Sequence, residues 1–118
     1  MTEQYLQRNI NNPPGSRSID TDTQLESVTD GEIVIVDATG GAVVVQLPPA
    51  QGVGGGATIT IVRLGPLGIN TVTVSTATGD TLLVPAGQPI GNVLGTDGGA
   101  RIFRTDGDSN WSVTGGLN

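Results

Sequence analysis

From Gln24 onward, short runs of branched apolar residues alternate with clusters of glycine, proline, aspartate or asparagine. Runs of Val, Ile and Thr about 4–8 residues long, bounded in this way, mark strands: branched side chains fit a pleated surface, and the bounding residues supply turns. The pattern predicts strands at 24–29, 32–37, 42–47, 57–64, 69–76, 81–84, 92–95, 100–105 and 111–114. No window of about 11 residues escapes glycine, proline or β-branched clusters, so no long helix is expected. Eight or nine short strands spaced about 8–12 residues apart predict an all-β domain, a compact β-sandwich, a jelly-roll-like form or a β-barrel.

Alternation within the runs assigns faces. Ala57, Ile59 and Ile61 fall on one side of their strand, and Thr58, Thr60 and Val62 on the other. Val72 and Val74 likewise alternate with Thr71, Thr73 and Ser75, the pattern of a half-buried antiparallel sheet. Ile33-Val34-Ile35-Val36 and Val43-Val44-Val45 are instead apolar on both faces. Such strands need cover on two sides, which another copy of the chain would supply, since exposed flat apolar strands invite association. A homo-oligomer is therefore expected, with Ile33, Val34, Ile35, Val43 and Val45 as interface candidates; the competing reading is that the N-terminal segment or a long loop folds back over them.

Residues 1–20 differ in character. Asn11-Asn12, Pro13-Pro14 and Gly15 break any periodicity, and Pro13-Pro14 imposes an extended path. Apolar residues are sparse, at Tyr5, Leu6, Ile10 and Ile19. One reading is a solvated terminus. The other is an extended arm, 1–20, ahead of a β-domain at 21–118, that orders on a partner through spaced anchors.

Composition narrows the chemistry. The chain has 118 residues, enough for one domain of the usual ~100–150. It has no cysteine, histidine or lysine, which removes a thiol nucleophile, a Ser-His-Asp triad, disulfides, an ordinary zinc site and a Schiff base. No cofactor, metal or catalytic residue is expected. The net charge is -6, and the arginines at 8, 17, 63, 101 and 104 form no basic stripe, so nucleic acid is not an expected partner. Tyr5, Phe103 and Trp111 are the only aromatic residues, too few for a base-stacking platform. No apolar run reaches the ~18 residues of a membrane span, and the first twenty residues lack the apolar core of a signal peptide. Within 1–20, Glu3 and Asp20 cancel Arg8 and Arg17, so the whole -6 falls on 21–118.

Several segments invite a site and have a plainer reading. Gln51-Gly52-Val53-Gly54-Gly55-Gly56-Ala57 loosely matches a dinucleotide fingerprint, but it opens a strand rather than a helix and reads as a connection. Asp106-Gly107-Asp108-Ser109-Asn110 resembles part of a calcium loop but lacks flanking helices, and reads as a hairpin turn. Asp20-Thr21-Asp22 reads as the approach to the first strand. Asp80, Asp97, Asp106 and Asp108 lie in glycine-rich turns where aspartate serves the backbone, so a carboxylate-pair hydrolase is not expected. Asn110-Trp111-Ser112 matches a glycosylation sequon, accidental in a chain without a secretory signal. Trp111 reads as a large cap closing one end of the core.

Four phrases in order carry a resemblance: Val44-Val45-Gln46-Leu47-Pro48-Pro49-Ala50; Ala57-Thr58-Ile59-Thr60-Ile61-Val62-Arg63; Asn70-Thr71-Val72-Thr73-Val74 leading to Gly79-Asp80-Thr81-Leu82; and Ala100-Arg101-Ile102-Phe103 leading to Asp108-Ser109-Asn110-Trp111-Ser112-Val113. Together they resemble a module of tailed-bacteriophage virion proteins, found in capsid decoration (cement) proteins and in segments of tail fibres. Leu83-Val84-Pro85-Ala86-Gly87 departs from the D-T-I-D-G continuation common in such modules, and Arg63 stands where they carry lysine. The resemblance implies a β-rich homotrimer with no catalytic residues to carry over. It implies a decoration protein on the outer surface of the virion, made in the host cytoplasm, that binds the assembled major capsid protein lattice. The arm would contact that lattice through Tyr5, Leu6, Arg8, Ile10 and Arg17. The alternative is a tail-fibre or spike module recognising a host-surface glycan; the short chain favours decoration, since fibres need a shaft and an attachment domain.

Overall fold

The computed structural model describes residues 16–26, 28–65, 70–84, 93–94 and 99–117. Its strands are β1 (Ser16–Ile19), β2 (Thr23–Gln24), β3 (Glu32–Asp37), β4 (Val43–Gln46), β5 (Thr58–Leu64), β6 (Val72–Ser75), β7 (Thr81–Leu83), β8 (Val93–Leu94), β9 (Ala100–Thr105) and β10 (Asn110–Leu117). Eight of the nine predicted strands have a counterpart; the one predicted at 24–29 shares only Gln24 with β2, and β10 runs on past 114 to Leu117. The only helical element among the described residues is a 3₁₀ turn, Ala50–Gly52. β1 lies within the segment assigned to the arm. It has a single apolar side chain, Ile19, and no alternation to reveal it.

The strands form two sheets, one of order β1-β3-β5-β9-β10-β7 and one of order β2-β4-β6-β8. From β1 to β6 each strand crosses to the opposite sheet, and the next returns beside its predecessor running the same way. The pairs β1/β3, β3/β5, β2/β4 and β4/β6 are consequently parallel, as is β7/β10. Parallel neighbours need a long crossover, usually a helix. Here the crossover is a strand of the facing sheet. Among the described residues, antiparallel pairing is confined to β5/β9, β9/β10 and β6/β8. The antiparallel sheet expected for residues 57–64 and 69–76 is thus corrected: β5 and β6 each have one parallel and one antiparallel neighbour.

The faces follow the alternation. Val34, Val36, Ile59, Ile61, Phe103, Trp111 and Val113 of the larger sheet meet Val43, Val45, Val72, Val74 and Leu94 of the smaller, all at most 1% exposed. Leu25, Ala38, Leu47 and Ala50 close the core from the connections. Trp111 is fully buried, and its indole Nε1 donates to the Pro48 carbonyl at 3.1 Å, tying β10 to the connection after β4. Expected as a cap at one end of the core, Trp111 is a member of the core cluster itself.

Candidate functional site

Any hydrolytic or metal chemistry here would depend on the carboxylates. Asp22 Oδ1 accepts the Val44 N–H at 2.9 Å, and Asp30 Oδ1 accepts the Thr58 N–H at 2.9 Å. Asp80 Oδ2 accepts the Ala50 N–H at 2.8 Å, and Asp37 Oδ1 the Thr39 N–H at 2.9 Å. Asp106 Oδ1 collects the N–H groups of Asp108, Ser109 and Asn110 at 2.8, 3.1 and 3.1 Å, while Asn110 Nδ2 donates to its Oδ2 at 2.8 Å. These donors favour the ionised form, the Asp108 N–H most, and hold the Asp106 carboxyl at about 2. Hydrogen bonds from the Thr39 side chain and then its backbone hold Asp37 below the usual aspartate value. The reading of Asp80 and Asp106 as servants of the backbone holds, and Asp97 lies outside the described residues.

Residues 106–110 form the β9–β10 turn, as expected. The glycine run is the connection into β5, as read: the 3₁₀ turn leads to a tight turn in which the Ala57 N–H donates to the Gly54 carbonyl at 3.1 Å. Asp20, Asp22 and Asp37 line a shallow groove of about 560 Å³ with Gly40, Gly41 and Ala42. Among the described residues no three acidic side chains converge in a way that could hold a metal ion.

Of the expected capsid-contacting residues, Tyr5, Leu6, Arg8 and Ile10 lie outside the described residues. Arg17 sits on β1, where its Nε donates to Glu32 Oε2. Glu32 is 3% exposed, and its Oε1 also accepts the Thr29 N–H at 3.0 Å, so this pair pins β1 and the approach to β3 together. The interface candidates divide by parity. Val34, Val43 and Val45 are at most 1% exposed inside a single chain and cannot meet a neighbour; they are corrected to core residues. The facing sheet covers one face of these strands only; Val44, on the other face of β4, stays 42% exposed. Ile33 and Ile35 remain on the outer face, Ile33 at 43% exposure and Ile35 half-buried.

That outer face carries several neighbouring apolar residues. Cα register aligns Ser16, Ile33, Thr60 and Ile102 in one row, Ser18, Ile35, Val62 and Ala100 in the next, and Asp37 with Leu64 in a third. Leu64 is 43% exposed and Ile102 37%. Charge lies at the margins of these rows: Asp37 at one end and Arg104, the row partner of Thr58, at the other.

Two arginines were not anticipated inside. Arg63 and Arg101 are fully buried on the inner face of the larger sheet. Arg63 Nη2 donates to the Asn70 carbonyl, and Arg101 Nη1 to the Ala100 carbonyl at 3.0 Å; burial lowers the Arg101 pKa from its ordinary value. The same parity that buries Ile59 and Ile61 carries Arg63 inward, so the signal was present in the sequence.

No protein-family model matches the chain, and no curated protein matches it.

Proposed function

We propose that the protein is a structural component of a bacteriophage virion, a decoration protein that binds the assembled head as a homotrimer and stabilises the lattice without catalysing a reaction. The observation that carries the reading is the order of the virion-module phrases: they fall on β4, β5, β6, β7, β9 and β10 in succession, across both sheets. A second support is the use of the carboxylates, since Asp22, Asp30, Asp80 and Asp106 are engaged as backbone acceptors. Of the expected jelly-roll-like or barrel forms, the proposal keeps the two-layer layout and gives its strands the parallel winding described above.

On this reading, Tyr5, Leu6, Arg8 and Ile10 contact the major capsid protein, and Arg17 anchors the start of β1. Binding only the assembled lattice stabilises it by mass action. Three arms engaging together turn weak contacts into avidity.

The test is co-sedimentation of the full chain with expanded phage heads. Wild-type protein is expected to pellet at a fixed ratio to the capsid lattice, and a Tyr5→Ala, Leu6→Ala, Ile10→Ala variant to stay in the supernatant with unchanged circular dichroism. Absence of head binding by the wild-type chain overturns the reading. Retention on a glycan array instead would favour the tail-fibre or spike alternative.

A further inference from the structure

We infer that the outer face of the six-stranded sheet is where one copy of this chain packs against the next, about an axis running along the strands. The inference rests on the self-associating reading above and supplies the surface that it uses.

β1, β3 and β5 form the parallel part of a mixed sheet, and apolar residues on both faces of such strands call for cover on both. The inner face of this sheet is covered by the four-stranded sheet. Its outer face carries Ile33, Ile35, Val62, Leu64 and Ile102, with the three most exposed between 37% and 43% open.

Charge then selects the occupant. On the Thr58 row, Arg104 flanks β5 from the β9 side. On the β3 side of that row the Gly31 N–H donates to the Thr58 carbonyl at 2.8 Å, and Asp30 Oδ1 accepts the Thr58 N–H at 2.9 Å. A cation therefore marks one flank of the apolar face and an anion marks the other, at the same height. Arg104 has no ion-pair partner among the described residues. A cyclic axis along the strands brings the β9 flank of each copy to the β3 flank of the next, so Arg104 meets Asp30 of the neighbour around a closed ring. A second copy of this chain has that arrangement built in.

Sedimentation equilibrium of the full chain tests this. The wild-type chain is expected to form a closed oligomer. An Ile33→Asp, Ile102→Asp variant should sediment as a monomer with unchanged far-ultraviolet circular dichroism, its association weakened at least 100-fold. Val44→Asp, at an exposed apolar position of the other sheet, should leave the mass unchanged. Arg104→Gln and Asp30→Asn, the latter keeping an oxygen for the Thr58 N–H, should each weaken association, and the double variant should lose less than the product of the two. A wild-type chain that stays monomeric, a double-aspartate variant that keeps the wild-type mass, or dissociation by Val44→Asp each overturns the inference. Head binding separates the two readings. A chain that assembles through this face but never sediments with heads defeats only the decoration reading. Heads bound by a chain whose assembly ignores Ile33 and Ile102 defeat only the interface.

Discussion

Gly107 sits at the tip of the β9–β10 turn with φ of 78°, and a Cβ there would lie 2.8 Å from the Gly55 backbone nitrogen. Two separate penalties meet at this residue, the left-handed conformation and a backbone that cannot retreat. Gly79 shares the first alone, with φ of 93° and open space around its missing Cβ. Gly79→Ala should therefore cost about 1–2 kcal/mol, and Gly107→Ala clearly more, roughly 2–4 kcal/mol, measured by urea unfolding. Equal losses would show that the approach of the turn to Gly55 does not constrain the fold. Beside it, Asp106 gives the turn a pH dependence. Its carboxyl is held at about 2 when folded against an ordinary 3.8, so the folded state binds the proton less readily than the unfolded state. The stabilisation is therefore complete above about pH 4 and is lost as pH falls through the folded value. Asp106→Asn should flatten the stability profile between pH 4 and 2 in acid titrations followed by Trp111 fluorescence, while lowering stability at neutral pH.

At the scale of elements, β1 shows what an ion pair does at a sheet edge. Four residues with one apolar side chain contribute little burial, and Arg17 with Glu32 fixes the strand in register. Removing Arg17 leaves a 3%-exposed carboxylate without that partner, although Thr29 still donates to it. Because Arg17 is itself partly open to water, Arg17→Ala should cost about 1–2 kcal/mol rather than the full amount for a deeply buried pair. The discriminating readout is hydrogen exchange: the amides of Ser16–Ile19 should lose protection while those of β5 and β9 keep it. Uniform loss of protection would mean that β1 belongs to the core folding unit. The same feature hides this strand in the sequence. Period-two alternation reveals a strand only where one face is buried, as in β3, β5 and β6, and an edge held by charge carries none. Alternation also placed Val34 and Ile33 on opposite faces without telling which face the chain itself would cover. The interface candidates therefore mixed core residues with surface ones. Strand direction was equally hidden, since an alternating strand looks the same beside a parallel or an antiparallel neighbour.

Apart from the β9–β10 hairpin, the molecule is built from pairings that no local turn enforces. Ile33 lies beside Thr60, Val43 beside Val72 and Ile59 beside Phe103, each pair joined only after the chain has visited the other sheet. Parallel winding of this kind cannot begin with a hairpin, because two strands of one sheet become neighbours only once the strand between them has a place to pack. Loop closure must come before most of the reward, which slows folding at any given stability. Refolding should therefore take milliseconds to seconds, with a rate on the order of 1–100 per second, rather than microseconds. The molecule carries its own reporter: Trp111 is its only tryptophan, and its bond to Pro48 forms only when β10 docks on the connection that follows β4. In stopped-flow dilution from urea, Trp111 fluorescence should change together with far-ultraviolet circular dichroism in a single phase, because neither sheet has a buried face without the other. A dichroism change that runs well ahead of fluorescence would mean that one sheet forms alone. The hairpin β9–β10, the only sequential antiparallel pair among the described residues and the one closed by the Asp106 turn, would then be its seed.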